Sequence, residues 1–111
     1  NARNAQVFTP DGPLNLRLEA NRADFAPIDP GCRCTACRDH SRAYLRHLFK
    51  AKEILAAMLA TRHNLAFLAS MVSAARSAIL EGRFTAFKHA FLSRYGEQQP
   101  GPQSGPEPAE I

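Results

Sequence analysis

Three cysteines within six residues are the part of this sequence best suited to chemistry. They read Cys32-Arg-Cys34-Thr-Ala-Cys37, a C-x-C-x-x-C spacing that follows a Pro-Gly turn. Disulfides explain this spacing poorly, because a ring closed across one intervening residue is strained and one thiol would be left over. Three thiolates gathered by a tight turn instead occupy three corners of a tetrahedron, and Zn²⁺ then needs a fourth nitrogen or sulfur donor. The sequence therefore predicts one structural Zn²⁺ in a Cys₃His site.

The four histidines, His40, His47, His63 and His89, are the candidates for the fourth donor. Spacing alone does not choose well among them. His40 lies too close to Cys37 to wrap back easily, and His47 lies in the middle of a predicted helix. His63 is favoured because it lies near a predicted helix start and could close the site from a separate element. A closed site of this kind would hold the fold together rather than catalyse.

The elements around the cysteines predict an α+β fold. Residues 6–18 indicate a β-hairpin, because the dense turn signal of residues 10–13 separates Val7-Phe-Thr from an alternating run over 14–18. Residues 19–31 lack a clear period and are interpreted as a loop or a short third strand.

From Asp39 onward the apolar period is helical and predicts about four helices. The first is capped by Asp39 or Ser41, the second covers about 52–60, a longer one begins after a cap at Thr61, and the last covers about 84–94 and ends at Gly96. Gly82 is placed where a helix end favours a left-handed residue. We expect the apolar stripes of three of these helices to lie in the core. They are Leu45, Leu48 and Phe49 on the first helix, Leu65, Leu68, Val72, Ala75 and Ile79 on the longer one, and Phe84, Phe87, Phe91 and Tyr95 on the last.

Length and composition indicate one small domain or a piece of a larger protein. With 111 residues and 45% hydrophobic residues, the chain has enough apolar material for a core, which excludes wholesale disorder. The start at Asn1 without a basic-then-apolar leader suggests processing or a cut from a longer protein. The longest uncharged run, 63–75, is too short to span a bilayer, so no membrane segment is expected.

Charge is unevenly distributed along the chain. There are 14 Lys and Arg against 10 Asp and Glu, yet residues 96–111 contain no basic residue and are rich in proline, which predicts a disordered tail. The basic remainder suits an anionic partner, nucleic acid above all. Arg38, Arg42, Arg46 and Lys50 recur every four residues on the predicted first helix; they are interpreted as either a solvated face or a row of phosphate contacts.

Four segments together resemble one protein family: residues 27–37, 41–49, 63–67 and 81–84. In order and spacing they are similar to the C-terminal part of the bacterial tRNA-guanine transglycosylases, over about residues 1–95. The resemblance implies the terminal part of an eight-stranded (β/α)₈ TIM barrel with its zinc subdomain. It divides the chain into a hairpin and loop (1–31), a zinc-binding helical region with the terminal barrel helices (32–95) and the tail (96–111). The family's zinc ligands map onto Cys32, Cys34, Cys37 and His63.

The activity that the resemblance implies is exchange of guanine for a 7-deazaguanine, a queuosine precursor, at the wobble position of tRNA. The family uses an Asp nucleophile and a second Asp as acid and base, and neither matches a residue here, so this chain alone is expected to hold no catalytic residue and to be inactive. The resemblance also implies a cytoplasmic homodimer, RNA contact at Arg3, and dimer contacts at Tyr44 and His47. The alternative is a free-standing zinc module that binds RNA or a protein partner without catalysis.

Overall fold

A computed structural model describes residues 4–97 of the chain. Its elements are two strands, β1 (Gln6–Thr9) and β2 (Gly12–Asn15), a 3₁₀ turn (Glu19–Asn21), and four helices, α1 (Thr35–Asp39), α2 (Arg42–Lys50), α3 (Ile54–Leu80) and α4 (Phe84–Glu97). The predicted α+β class, with one hairpin and four helices, is confirmed, although α1 was not predicted and α3 takes the place of two predicted helices. Arg3 and residues 98–111 lie outside the described residues, and so does most of the predicted tail. The predicted division into three regions stays a prediction.

The two strands form the expected antiparallel hairpin, in which Gln6 pairs with Asn15 and Thr9 with Gly12. The second strand was predicted too late, because it starts at Gly12 and ends at Asn15 instead of covering 14–18. Asn15 ends it physically: its side-chain Oδ1 accepts a hydrogen bond from the Arg17 N–H at 2.9 Å, which turns the chain. Within 19–31 the structure has a 3₁₀ turn and loop rather than a third strand.

Helix α2 begins directly after Ser41, one of the two predicted N-caps. The Ser41 Oγ accepts a hydrogen bond from the Tyr44 N–H at 3.0 Å and so satisfies one of the unpaired donors of the first turn. The predicted apolar stripe of this helix, Leu45, Leu48 and Phe49, is buried. The predicted N-cap and the predicted buried stripe of α2 are therefore both confirmed.

Helix α3 is one continuous helix of 27 residues where the sequence suggested two. Thr61 caps nothing and is exposed inside the helix, because no Gly or Pro between residues 54 and 80 interrupts the backbone. The helix ends as predicted: Gly82 has φ of 72°, and its N–H donates to the Ile79 carbonyl at 3.1 Å. Helix α4 continues through Gly96, which was predicted to end it.

The core lies between the hairpin, α1, α2 and the first half of α3. Its buried apolar residues are Ala5, Val7, Leu16, Ile28, Ala36, Cys37, Leu45, Leu48, Phe49, Ala56, Leu59 and Ala60. The predicted core stripe of the longer helix was wrong: Leu65, Val72 and Ile79 are 63%, 59% and 60% exposed. In this part of the chain the helical period marks an apolar face that the described residues do not cover.

Within residues 4–97, α3 is the one helix long and apolar enough, by length and composition alone, to cross a membrane. Its first half nevertheless packs against β1, α1 and α2, with Ala56, Leu59 and His63 buried there. A helix in the core of a folded protein can have the same length and hydropathy, so these two properties do not distinguish it from a membrane span. The expectation of no membrane segment stays a prediction.

The link between α2 and α3 contains a strained residue that predicts a stabilising substitution. Lys52 has φ of 58°, in the left-handed region that favours glycine. A residue with a side chain pays about 1–2 kcal/mol for this left-handed conformation. Glycine avoids that cost, but its greater conformational freedom in the unfolded chain offsets part of the gain in stability. We expect Lys52→Gly to raise the free energy of unfolding of the metal-loaded protein by about 0.5–1 kcal/mol in urea titrations. Lys50→Gly, at the last residue of α2, is the control and should lower the free energy of unfolding, because glycine disfavours the helical backbone. Equal effects of the two substitutions would contradict this account.

Candidate metal centre

The four predicted donors come together from three parts of the chain. Cys32 lies in the loop before α1, Cys34 is the N-cap of α1, Cys37 lies within α1, and His63 lies on α3. Their ligand atoms all lie within 4.8 Å of one another. The Nδ1 atom of His63 is 3.6 Å from the Cys34 Sγ and 3.3 Å from the Cys37 Sγ. A single metal ion can therefore reach all four.

These distances fit a tetrahedral ion of the size of Zn²⁺. With metal–sulfur bonds near 2.3 Å and a metal–nitrogen bond near 2.0 Å, a regular tetrahedron separates nitrogen from sulfur by about 3.5 Å. The two measured separations of His63 Nδ1 bracket that value. The donor set has no carboxylate, and three sulfurs with one imidazole suit zinc better than the oxygen-seeking Mg²⁺ or Ca²⁺.

A second contact of the His63 ring fixes which nitrogen faces the thiols. Its Nε2 lies 2.7 Å from the carbonyl oxygen of Phe8. Because a carbonyl only accepts, Nε2 must hold the proton and donate it, which leaves the Nδ1 lone pair free. This hydrogen bond to strand β1 therefore orients the ring and selects the tautomer that leaves Nδ1 free for a metal, as outer partners of metal-binding histidines generally do.

Asn64, the next residue on α3, strengthens the same connection. Its Oδ1 accepts from the Phe8 N–H at 3.0 Å, and its Nδ2 donates to the Gln6 carbonyl at 3.2 Å. One side-chain amide thus satisfies backbone groups on the open edge of β1. Sequence reasoning missed Asn64, although an amide directly after a candidate ligand was a usable signal.

Burial makes the thiol cluster an unfavourable place for negative charge. Desolvation raises the pKa of the Cys37 thiol far above its ordinary value, and it also raises the pKa of the Cys32 thiol. The Cys34 N–H lies 3.5 Å from the Cys32 Sγ and offers that sulfur a weak hydrogen bond. A divalent cation would supply the positive charge that such thiolates need, so the four donors together suit a metal ion.

Arg42 joins the chain before the cysteines to the helix after them. Its Nε donates to the Pro27 carbonyl at 3.0 Å and its Nη2 to the Ile28 carbonyl at 2.9 Å. Its Nη1 lies 3.4 Å from a carboxylate oxygen of Asp24. The planar guanidinium fork therefore closes the loop that carries all three thiols.

The other residues of the predicted basic row have different surroundings. Arg46 is also held inside the chain: its Nε donates to the Arg17 carbonyl at 3.2 Å, and its Nη2 pairs with Glu19. Arg38 is 66% exposed and pairs with the neighbouring Asp39, and Lys50 is exposed. RNA contact by the row stays a prediction, and the geometry gives Arg42 and Arg46 a structural role.

The predicted dimer residues lie on the outer side of α2. The Tyr44 ring stacks on the His40 ring with centroids 5.3 Å apart, and the His47 ring follows at 6.4 Å from Tyr44. Tyr44 and His47 are exposed. His40, His47 and His89 are not part of the thiol cluster. The dimer contact stays a prediction.

The aspartates lie in turns or loops or at a helix end and are engaged locally. Asp24 and Asp29 accept hydrogen bonds from the N–H groups of Ala26 and Gly31. Asp11, at the hairpin turn, forms an ion pair with Arg94 of α4, and this hydrogen bond lowers its pKa. None of these contacts tests the prediction that the catalytic carboxylates lie elsewhere.

The fold and the cluster define a small α+β metal-binding module with a Cys₃His donor set. Comparison with known proteins identifies its family. The family model described as queuine tRNA-ribosyltransferase matches residues 1–97, and the chain belongs to this family.

Several curated relatives carry the same description. A queuine tRNA-ribosyltransferase of Treponema denticola is 50% identical over 95 residues, which are 86% of this chain and 25% of the relative. One from Caldanaerobacter subterraneus is 53% identical over 85% of the chain and 25% of the relative. One from Desulfosudis oleivorans is 45% identical over 97% of the chain and 27% of the relative. The chain therefore spans about a quarter of the length of these relatives.

The Arg42 contacts predict a stability cost. Arg42→Ala leaves two carbonyls and Asp24 without their charged partner, and we expect it to lower the free energy of unfolding of the metal-loaded protein by about 1–3 kcal/mol. Arg42→Lys keeps the charge but not the fork and should fall in between. The control is Arg38→Ala, expected within about 0.5 kcal/mol of the wild type. Chemical denaturation measures all three, and equal stability of Arg42→Ala and Arg38→Ala would refute the structural role.

Proposed function

We propose that this chain is the zinc-binding portion of a tRNA-guanine transglycosylase, which exchanges guanine for a 7-deazaguanine queuosine precursor at the tRNA wobble position. The observation that carries the proposal is the family match over residues 1–97, within which the Cys₃His cluster lies. The activity belongs to the whole enzyme. The matched region is 25% of each of these relatives, so three quarters of their length lie outside it. This chain contributes structure, and in the whole enzyme it forms the end of the (β/α)₈ barrel with its zinc subdomain.

The metal of this site is Zn²⁺, in keeping with the donor set and the distances. Cys32, Cys34, Cys37 and His63 would hold the ion, which would crosslink them and, with four protein donors, would leave no open position for substrate. The residues of the chain do the rest: Arg42 closes the loop of the thiols, and His63 joins that loop to the hairpin. The role is therefore to fix α1, α3 and β1 in one arrangement.

The partners of the whole enzyme follow from the same proposal. The tRNA is contacted by Arg3 and by the exposed basic groups Arg38 and Lys50, and the 7-deazaguanine base binds in the barrel. A cytoplasmic homodimer would use the exposed rings of Tyr44 and His47, because aromatic side chains are enriched in interfaces between proteins.

The first test is metal content. The purified chain should contain close to one equivalent of zinc by elemental analysis, and His63→Ala should lose most of it because one of four ligands is missing. His89→Ala replaces an exposed histidine outside the cluster and should keep the full equivalent. A fold unchanged without metal, or equal zinc loss in both variants, would remove zinc from the proposal.

The second test is activity in a chimera. This chain, substituted for the matching quarter of the Treponema denticola relative, should give an enzyme that incorporates labelled guanine into tRNA. The same chimera with His63→Ala should lose most of that activity, and the chain alone should give no incorporation above background. A well-folded, zinc-loaded chimera without exchange would favour the alternative, a zinc module that binds RNA or protein without catalysis.

A further inference from the structure

The three thiols of the metal centre differ in their access to solvent. Cys32 and Cys34 are half-buried, whereas Cys37 is only 7% exposed. Among the thiols, all of which the structure describes, only Cys32 and Cys34 line a cavity of about 590 Å³ between residues 29–34, α3 and α4. A peroxide molecule is little larger than water, whose share of liquid volume is about 30 Å³. It can therefore reach two of the three sulfurs directly.

The charge at this cavity favours reaction at those two sulfurs. Arg33, which lies between them in the sequence, is exposed and lines the same cavity. Asp29 also lines it, but the Asp29 Oδ1 accepts a hydrogen bond from the Gly31 N–H at 2.9 Å. Reactive cysteines lie in partly exposed surroundings next to a cation, because positive charge stabilises the thiolate, which is the nucleophile. Cys32 and Cys34 have such surroundings.

The spacing of the cysteines favours one pair for a disulfide bond. Cys34 and Cys37 form a Cys-x-x-Cys motif, which is the spacing of reversible dithiols in disulfide oxidoreductases. Cys32 and Cys34 would instead close a strained ring. All the ligand atoms lie within 4.8 Å of one another, and side-chain rotation can bring two sulfurs from there to the bonding distance of about 2.05 Å. An accessible thiol, Cys34, thus stands beside a buried partner, Cys37.

We propose that Cys34 and Cys37 are a redox modification site, at which hydrogen peroxide converts the two thiolates into one disulfide and so releases the metal ion. This inference goes beyond the proposed function and rests on it only for the identity of the metal. Oxidation reduces the donor set from four to Cys32 and His63. Two protein donors leave the coordination of Zn²⁺ incomplete, so the ion dissociates.

The reaction has two steps and is balanced by peroxide alone. The Cys34 thiolate attacks one peroxide oxygen, the O–O bond breaks, and the hydroxide that leaves takes a proton from water, which gives Cys34 sulfenic acid. The Cys37 thiolate then attacks the Cys34 sulfur, the S–S bond forms, and the S–O bond breaks to release a second hydroxide, which is protonated likewise. The two sulfurs together lose two electrons and the peroxide gains them, while zinc stays Zn²⁺.

The modification separates two connections of His63 that the metal-loaded site combines. Loss of the ion removes the link from His63 Nδ1 to the cysteines, but His63 Nε2 still donates to the Phe8 carbonyl at 2.7 Å. The hairpin therefore stays on α3 while the cysteine segment is freed from it. A dithiol reductant supplies the two electrons that reopen the disulfide, so the metal site forms again when Zn²⁺ is present.

The test treats the reduced, zinc-loaded chain with hydrogen peroxide. A chromogenic chelator measures the released zinc, and mass spectrometry after alkylation maps the disulfides. We expect one zinc ion released for each Cys34–Cys37 disulfide, with Cys32 recovered as an alkylated free thiol. Dithiothreitol with added Zn²⁺ should then restore the full zinc equivalent.

A matched pair of variants tests the route of the peroxide. Ser70→Trp places a large ring at the lining of the cavity and should slow zinc release about threefold, because the accessible thiols face this cavity. Ser73→Trp, at an exposed serine of the same helix outside the cavity, should release zinc at the wild-type rate. Both variants are compared only with wild-type zinc content and circular dichroism before peroxide is added.

The outcomes separate this proposal from the proposed function. Zinc release without a disulfide, a disulfide that includes Cys32, or a disulfide between two chains would overturn the proposal, as would equal rates for Ser70→Trp and Ser73→Trp. Zinc that stays bound after the Cys34–Cys37 disulfide has formed would refute this inference alone. A purified chain that holds no zinc before peroxide is added would refute both this inference and the zinc of the proposed function.

Discussion

The structure depends on the two hydrogen-bonding directions of one imidazole ring. His63 is fully buried, and it presents Nδ1 to the thiols while Nε2 donates to the Phe8 carbonyl. The ring is thereby a bridge between a metal site and a strand that is too short to be stable in a two-stranded sheet alone. Cys37 and Ala36 of α1 share the same core. Two short elements, β1 and α1, are thereby joined to the long helix α3 at one point, and a metal ion held by the four donors would strengthen that junction.

Much of the site could be predicted because ligand chemistry is local. The spacing of Cys32, Cys34 and Cys37 indicates a metal on its own, and Ser41 reveals the start of α2 by its cap. The choice of His63 could not be derived firmly from spacing, since it depends on how α3 crosses the hairpin. The reason given for it was also inexact: His63 lies well inside a continuous helix and not near a helix start. The contacts of Asn64 and of the Arg42 fork escaped prediction because most of their partners are backbone groups, whose position in space leaves no mark in the sequence.

The errors in the predicted fold have physical causes of the same kind. Periodicity reports that one face of a helix is apolar, but it is silent on what covers that face. The stripe with Val72 and Ile79 has the pattern of a core, yet these two side chains are 59% and 60% exposed. The basic row shows the reverse case, because regular spacing suggested a uniform surface whereas Arg42 and Arg46 are bound to carbonyls of the same chain. Sequence patterns identify faces, and only the packed structure assigns them their neighbours.

The amide of Asn64 has a consequence for the behaviour of this chain in a crowded solution. A two-stranded ribbon has open edges, and open edges recruit strands from other molecules and start aggregates. Along β1 the α3 side chains take the place of a third strand, since Asn64 binds the Phe8 N–H and the Gln6 carbonyl while His63 binds the Phe8 carbonyl. A helix that takes the place of a neighbouring strand in this way leaves β1 unavailable to foreign chains, so His63 and Asn64 also oppose aggregation through this edge.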